Sequence, residues 1–183
     1  ILARKPVGII LSGGPSSVHD DDAPRIDPAL YEAGIPVLGI CYGMQLTALL
    51  LGGSVERAKE REYGRITVRM KEQAGLLGGM QPASSCWMSH TWQVSACPPG
   101  FRVIAETDNC PIAAMVHDEK KICCVQFHPE VTHTEDGSML IRNFLFRYCG
   151  CSGDWTMNAF AETAIRQIRD AVGENGTVLL ALS

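Results

Sequence analysis

The sequence predicts an α/β protein built on an open mixed sheet with helices on both faces. Three observations carry that expectation. Residues 7–11 and 37–40 are short apolar runs, each leading into a glycine-containing turn, as buried strands do. Each run is followed by a helix signal, and strand–helix–strand–helix with apolar strands implies a parallel sheet with covered faces. From residue 54 the texture changes, and Ile66, Val68 and Met70 alternate with polar residues, as in a half-exposed antiparallel strand.

The elements follow in order. The run at 7–11 closes on Ser12-Gly13-Gly14-Pro15. Asp27-Pro28 supplies an N-cap and a first-turn proline for a short helix that Gly34 ends. The strand at 37–40 leads into a helix at 44–51, closed by Gly52. Further short strands are expected at 86–88, 101–105, 112–116 and 122–127, and a helix at 138–148. Residues 149–154 are small and polar and read as a linker. Phe160, Ala164 and Ile168 then fall at helical spacing, marking an amphipathic helix at 157–172. Residues 173–177 turn the chain into a final strand at 178–182. The organisation expected is one domain over 1–148 and the start of a second over 149–183.

Bulk properties exclude several function classes. The 183 residues are 46% hydrophobic and carry 16 basic and 20 acidic side chains, a net charge of −4. The charges form no basic tract, which argues against nucleic-acid and membrane-surface partners. The uncharged stretch from Ala33 to Val55 is interrupted by Pro36, Gly39, Gly43, Gln45, Gly52 and Gly53, so it is not a membrane span. Eight cysteines are present, but Cys123 and Cys124 are neighbours in a strand and face opposite ways. Cys149 and Cys151 lack zinc spacing. The expectation is reduced thiols, a cytoplasmic protein and no metal site.

The strongest chemical signal is Gly39-Ile40-Cys41-Tyr42-Gly43 between a strand and a helix. This is the G-x-nucleophile-x-G elbow with cysteine as the nucleophile. The turn lifts the side chain out of the sheet, and the helix behind it is expected to lower the thiol pKa. Turn N–H groups are available for an oxyanion. Alone, the pattern fits a small buried cysteine equally well, so a base is required. His128-Pro129-Glu130 offers one: Pro129 holds His128 extended, and residues two apart then share a face. Glu130 would fix the imidazole tautomer and leave the other nitrogen for the thiol. The Gly13-Gly14 turn is too short for a P-loop and offers an N–H beside that of Tyr42. His19, His90, His117 and His133 are read as loop or turn histidines, and the tryptophans as packing residues.

These residues resemble a known family. The segment Pro36 to Gln45, the segment Gln126 to Glu130 and the segment Leu11 to Pro15 are similar, in that order, to the nucleophile, His-Glu and oxyanion motifs of class I glutamine amidotransferases. Glu62-Tyr63-Gly64, the segment His128 to Thr134 and the segment Cys149 to Met157 resemble the GMP synthases within that family. The resemblance implies a flavodoxin-like amidotransferase fold and a glutaminase. Cys41 would attack the glutamine amide, His128 would move the protons and Glu130 would orient it. The N–H groups of Gly14 and Tyr42 would hold the oxyanion, and Gln45 would position the substrate. It further implies that ammonia passes to XMP, activated by ATP and Mg2+ in a second domain, and that the longer protein is a homodimer. One departure stands out: the family reads Ser-His-Gly-Asp where this chain has Ser89-His90-Thr91-Trp92, so an aspartate suited to the substrate ammonium is replaced by an indole. The chain begins without methionine and ends at Ser183 after an apolar run. It is therefore expected to be a fragment cut at both ends, lacking the first strand and helix, with Ser183 opening the ATP loop.

Overall fold

The computed structural model describes residues 1–174 and 176–179. The chain divides into two compact units, Ile1–Cys151 and Ser152–Ser183.

The first unit is a seven-stranded sheet. Its strands are β1 (Ile9–Leu11), β2 (Val37–Ile40), β3 (Ser54–Met70), β4 (Ala83–Ala96), β5 (Arg102–Glu106), β6 (Ala114–His117) and β7 (Ile122–Val125). In space they run β1-β2-β7-β6-β5-β3-β4. The pairs β1–β2 and β2–β7 are parallel, and all the others are antiparallel. The sheet is thus mixed: β1, β2 and β7 form its parallel part, and β7 also pairs antiparallel with the buried strand β6.

Strand periodicity sorts the core into two layers. In β2, Val37 joins one cluster while Leu38 and Ile40 join the other. In β7, Ile122 and Cys124 face the first cluster and Cys123 and Val125 the second. Helix α1 (Tyr42–Leu50) covers the first face through Met44 and Ala48. Helix α2 (Gly137–Asn143) and the π-helical turn Phe144–Tyr148 cover the second through Leu140 and Phe144. Helices therefore lie on both faces. The two adjacent cysteines point to opposite layers, as period two requires, and all eight cysteines are free thiols.

Several elements differ from expectation. The strand at 7–11 shortens to Ile9–Leu11 and is half exposed at Ile10, because it is the terminal strand of the sheet. Asp27 does cap, accepting the Ala29 N–H, but the helix is a single 3-10 turn, Pro28–Glu32. The expected strand at 86–88 is part of the 14-residue β4, which pairs with the 17-residue β3. Short apolar runs underestimate these two strands because several of their inward positions are polar, among them Glu62 of β3 and Ser84 and His90 of β4.

The second unit contains α3 (Met157–Val172). Its apolar stripe is as the spacing predicted, with Phe160 and Ile168 more than half exposed. The expected strand at 178–182 runs into residues 180–183, which lie outside the described residues, as does Ser183; residues 176–179 have no regular structure. No described helix is long and apolar enough to cross a membrane.

Leu38 is fully buried between β2's neighbours and the α2 layer. Leu38→Ala is expected to lower unfolding free energy by about 3 kcal/mol, read by denaturant titration.

Candidate active site

The C-terminal ends of β1, β2 and β7 converge, which is where parallel strands of an open sheet build sites. Cys41 lies between β2 and α1 with φ 50° and ψ −104°. That backbone is strained for a side-chain-bearing residue. It is held from both sides, for the Cys41 N–H donates to the Val125 carbonyl at 2.8 Å and the Cys41 carbonyl accepts from Gln45 N–H at 3.1 Å. The sheet and the helix thus each fix one half of the residue.

The flanking glycines are required by space. A Cβ on Gly43 would sit 2.1 Å from the Leu11 carbonyl oxygen, and one on Gly39 would sit 2.8 Å from the Gly43 backbone. Only glycine lets β1, β2 and α1 approach this closely. Gly13 meets the same limit, since its Cβ would lie 2.8 Å from His128 Cε1 and 3.6 Å from Cys41 Cβ. Gly13 is thus wedged between the two candidate catalytic side chains.

His128 lies three residues beyond the end of β7, just before the turn at Pro129 and Glu130. Its N–H donates to Trp87 O at 2.9 Å, and its carbonyl accepts the Thr134 hydroxyl at 2.6 Å. The Nδ1 atom lies 2.7 Å from Glu130 Oε1, while Nε2 is buried with no hydrogen bond. A carboxylate only accepts, so Nδ1 carries the proton of this contact, and Nε2 is the ring nitrogen left for another partner. The two side chains meet, but across a turn at Pro129 and Glu130 and not along the extended segment that the spacing argument assumed.

Beside Cys41 opens a cleft of about 440 Å³. Gly14, Cys41, Tyr42 and Gln45 line one side; Tyr63 and the strand from Ser89 to Trp92 line the other; Asp20 lies at the rim. The cleft gathers all the residues predicted to bear the oxyanion and the substrate. Gln45 is itself held: its Nε2 donates to Trp92 O at 2.6 Å and to Gln126 Oε1 at 3.2 Å.

One electrostatic expectation is reversed. Burial pushes the Cys41 thiol up to about 11, opposed by the Tyr42 N–H and the Gln126 side chain and assisted by the negative charge of Glu130. Cys41 is 5% exposed, and its Sγ donates to the Ser89 carbonyl at 3.8 Å. Desolvation outweighs the helix terminus that sequence reasoning relied upon. The resting group is a thiol, and its proton must leave as the sulfur reacts.

Sequence reasoning passed over four groups. Gln126 accepts from Gln45 Nε2, and its side chain also bears on the Cys41 thiol; its spacing of two from His128 was the available signal. Thr134 ties its segment back to His128. His90 is no loop residue but lies buried within β4, bonded to Glu62. His19 bonds Val55 O at 2.9 Å and packs on Trp92 with ring centroids 5.0 Å apart. Trp92 accordingly lines the cleft rather than serving only as packing.

The model of the class-I glutamine amidotransferases matches residues 1–148, and the chain belongs to that family. Its curated relatives include GMP synthases. The glutamine-hydrolysing GMP synthase of Acetivibrio thermocellus is 51% identical over 183 residues, covering 100% of this chain and 36% of that protein. That of Thermosynechococcus vestitus is 53% identical over 97% of this chain and 33% of its own length. The chain thus spans about a third of the relatives it matches. Among solved structures, a Thermoplasma acidophilum protein, provisionally described as part of a GMP synthase, superposes with a TM-score of 0.67 at 30% identity. That match covers 90% of this chain and 76% of that one.

Alkylation of Cys41 by iodoacetamide should rise steadily with pH from 7 towards an inflection near 11, because raising pH towards the thiol pKa increases the thiolate fraction. At pH 7.5 only roughly one thiol in a few thousand is ionised. A plateau already reached below pH 8 would mean a preformed thiolate–imidazolium pair instead.

Proposed function

We propose that this chain is the glutaminase part of a cytoplasmic GMP synthase. The observation that carries the reading is the unpartnered His128 Nε2, oriented by Glu130, behind a strained Cys41 at the mouth of a cleft. As Cys41 Sγ attacks the side-chain carbonyl carbon of glutamine, Nε2 takes the thiol proton. The oxyanion is stabilised by the N–H groups of Gly14 and Tyr42. The intermediate collapses, the C–N bond breaks, and Nε2 returns its proton to the leaving ammonia. A γ-glutamyl thioester remains. Water then attacks it with His128 again as base, releasing glutamate and restoring the thiol. A buried neutral thiol suits this sequence, since no charge stands on the sulfur before substrate arrives.

Gln45 positions the substrate, and Trp92 leaves its ammonium to another group. Asp20 is the one carboxylate among the described residues lining the cleft. Its Oδ2 accepts the Ser17 N–H at 2.8 Å, leaving Oδ1 for the ammonium, with the Trp92 and Tyr63 rings alongside. The identity with GMP synthases supports a fate for the ammonia: amination of XMP, activated by ATP and Mg2+, in a second domain of a longer, homodimeric protein. No described residue of this chain is assigned to that nucleotide site.

In the full-length gene product, Cys41→Ala should lower glutamine-dependent GMP synthesis by at least about a thousandfold while leaving synthesis from ammonium salts intact. Loss of both activities would contradict a two-site scheme. Asp20→Asn should raise the KM for glutamine by about three- to tenfold with little change in kcat, as expected for one exposed charge contact. An unchanged KM removes Asp20 from substrate binding.

A further inference from the structure

The reaction above makes no use of a buried polar chain behind the cleft wall. Glu62 and His90 face one another across β3 and β4, and their side chains are each 1% exposed. His90 Nε2 lies 3.2 Å from Glu62 Oε2, and His90 Nδ1 lies 3.1 Å from the Trp92 carbonyl. The other Glu62 oxygen accepts the Thr107 hydroxyl at 2.6 Å. The Trp92 carbonyl is the oxygen that also accepts from Gln45 Nε2. A continuous path therefore runs from Thr107 through Glu62, His90 and the Trp92 carbonyl to Gln45, and on to Gln126.

The proton arrangement follows from chemistry. A carbonyl only accepts, so Nδ1 of His90 is protonated. Nε2 faces a carboxylate, so one further proton must lie between Nε2 and Oε2, on either atom. Without it, a nitrogen lone pair would oppose a buried carboxylate, which is strongly unfavourable. Cys110 Sγ, Glu62 and His90 offer ligand atoms within 4.8 Å of one another. Both oxygens and both nitrogens of the pair are already engaged, however, so the cluster is a hydrogen-bonded linkage and not a cation site.

The pair sits where the hairpin is irregular. Arg57 pairs with Trp92 and Glu62 with His90, so residues 58–61 of β3 oppose the single residue Thr91 of β4. A bulge of this size interrupts the ladder between the Arg57–Trp92 and Glu62–His90 pairs, and the His90 Nδ1 contact to the Trp92 carbonyl ties the two sides of the break together. We propose that Glu62 and His90 are positioning residues for glutamine. They pin the Trp92 carbonyl, which in turn holds the Gln45 amide in register with Cys41. This rests on the glutaminase reading above.

The test uses the full-length gene product and three readouts: steady-state glutamine hydrolysis, iodoacetamide alkylation of Cys41, and Tm. His90→Ala should raise the KM for glutamine about tenfold or more, with alkylation within twofold of the parent protein, since that small reagent does not need Gln45. Combining His90→Ala with Gln45→Ala should be no worse than the poorer single variant, because residues acting through one contact are not additive. Glu62→Leu should behave like His90→Ala. Glu62→Gln should recover most of the KM, since its amide donates to a neutral Nε2 and its carbonyl still accepts from Thr107. Multiplying effects in the double variant would overturn the inference. So would parallel loss of alkylation and Tm, or equal behaviour of Glu62→Gln and Glu62→Leu. Should His90→Ala not fold, the two Glu62 variants decide alone. If the parent protein shows no glutamine hydrolysis, the proposed function fails; if it turns over and the variants match it, only the positioning role fails.

Discussion

Everything at this site depends on one strained residue. Cys41 occupies positive φ because its N–H belongs to the sheet and its carbonyl to the helix, and those two demands leave no relaxed conformation. The strain is tolerable only because Gly39 and Gly43 let the backbones of β2, α1 and β1 approach to distances at which any Cβ would collide. That contact brings the turn carrying Gly13 and Gly14 onto Cys41. Removing the glycines would relieve the strain by moving the sulfur, so the packing of three backbones is what determines where a single atom sits.

Around that point the molecule divides its work between two kinds of strand pairing. The parallel strands β1, β2 and β7 bring the Gly13-Gly14 turn, the cysteine and the histidine to one edge. The antiparallel pair β3 and β4 supplies the opposing wall of the cleft, from Tyr63 and from Ser89 to Trp92. The reactive side is built on a rigid, twice-covered sheet. The binding side is built on an extended hairpin whose position is set by a few buried polar contacts. This separation explains why the strongest sequence motifs lie on the first side and the departure at Trp92 on the second.

The parallel half of the fold was legible because its signals are local. An apolar run, a glycine turn and a helix fix β2, Cys41 and α1 without long-range information, and the His128–Glu130 contact is local because the two residues are two positions apart, although a turn and not an extended strand brings them together. The hairpin was not legible in the same way. Glu62 and His90 are 28 positions apart, and nothing in either neighbourhood says that they meet in the interior; a glutamate beside an arginine and a histidine beside a serine read as surface. The thiol pKa was misjudged for a related reason. A helix start can be read from sequence, but the depth of burial that outweighs it is a tertiary quantity. Asp20 likewise belongs to an acidic run that composition alone marks as solvated.

The high pKa of the Cys41 thiol has a meaning outside turnover. Peroxides and other mild oxidants attack thiolates, and susceptibility follows thiolate character and exposure. A thiol that is protonated at neutral pH and 5% exposed is a poor target for them. The other seven thiols are at least partly buried, and the neighbours Cys123 and Cys124 face opposite layers of the core, out of geometry for a mutual bridge. Five of the eight cysteines are buried, Cys41 among them, and on the proposed mechanism its sulfur stays dormant until a substrate amide and a histidine meet it together.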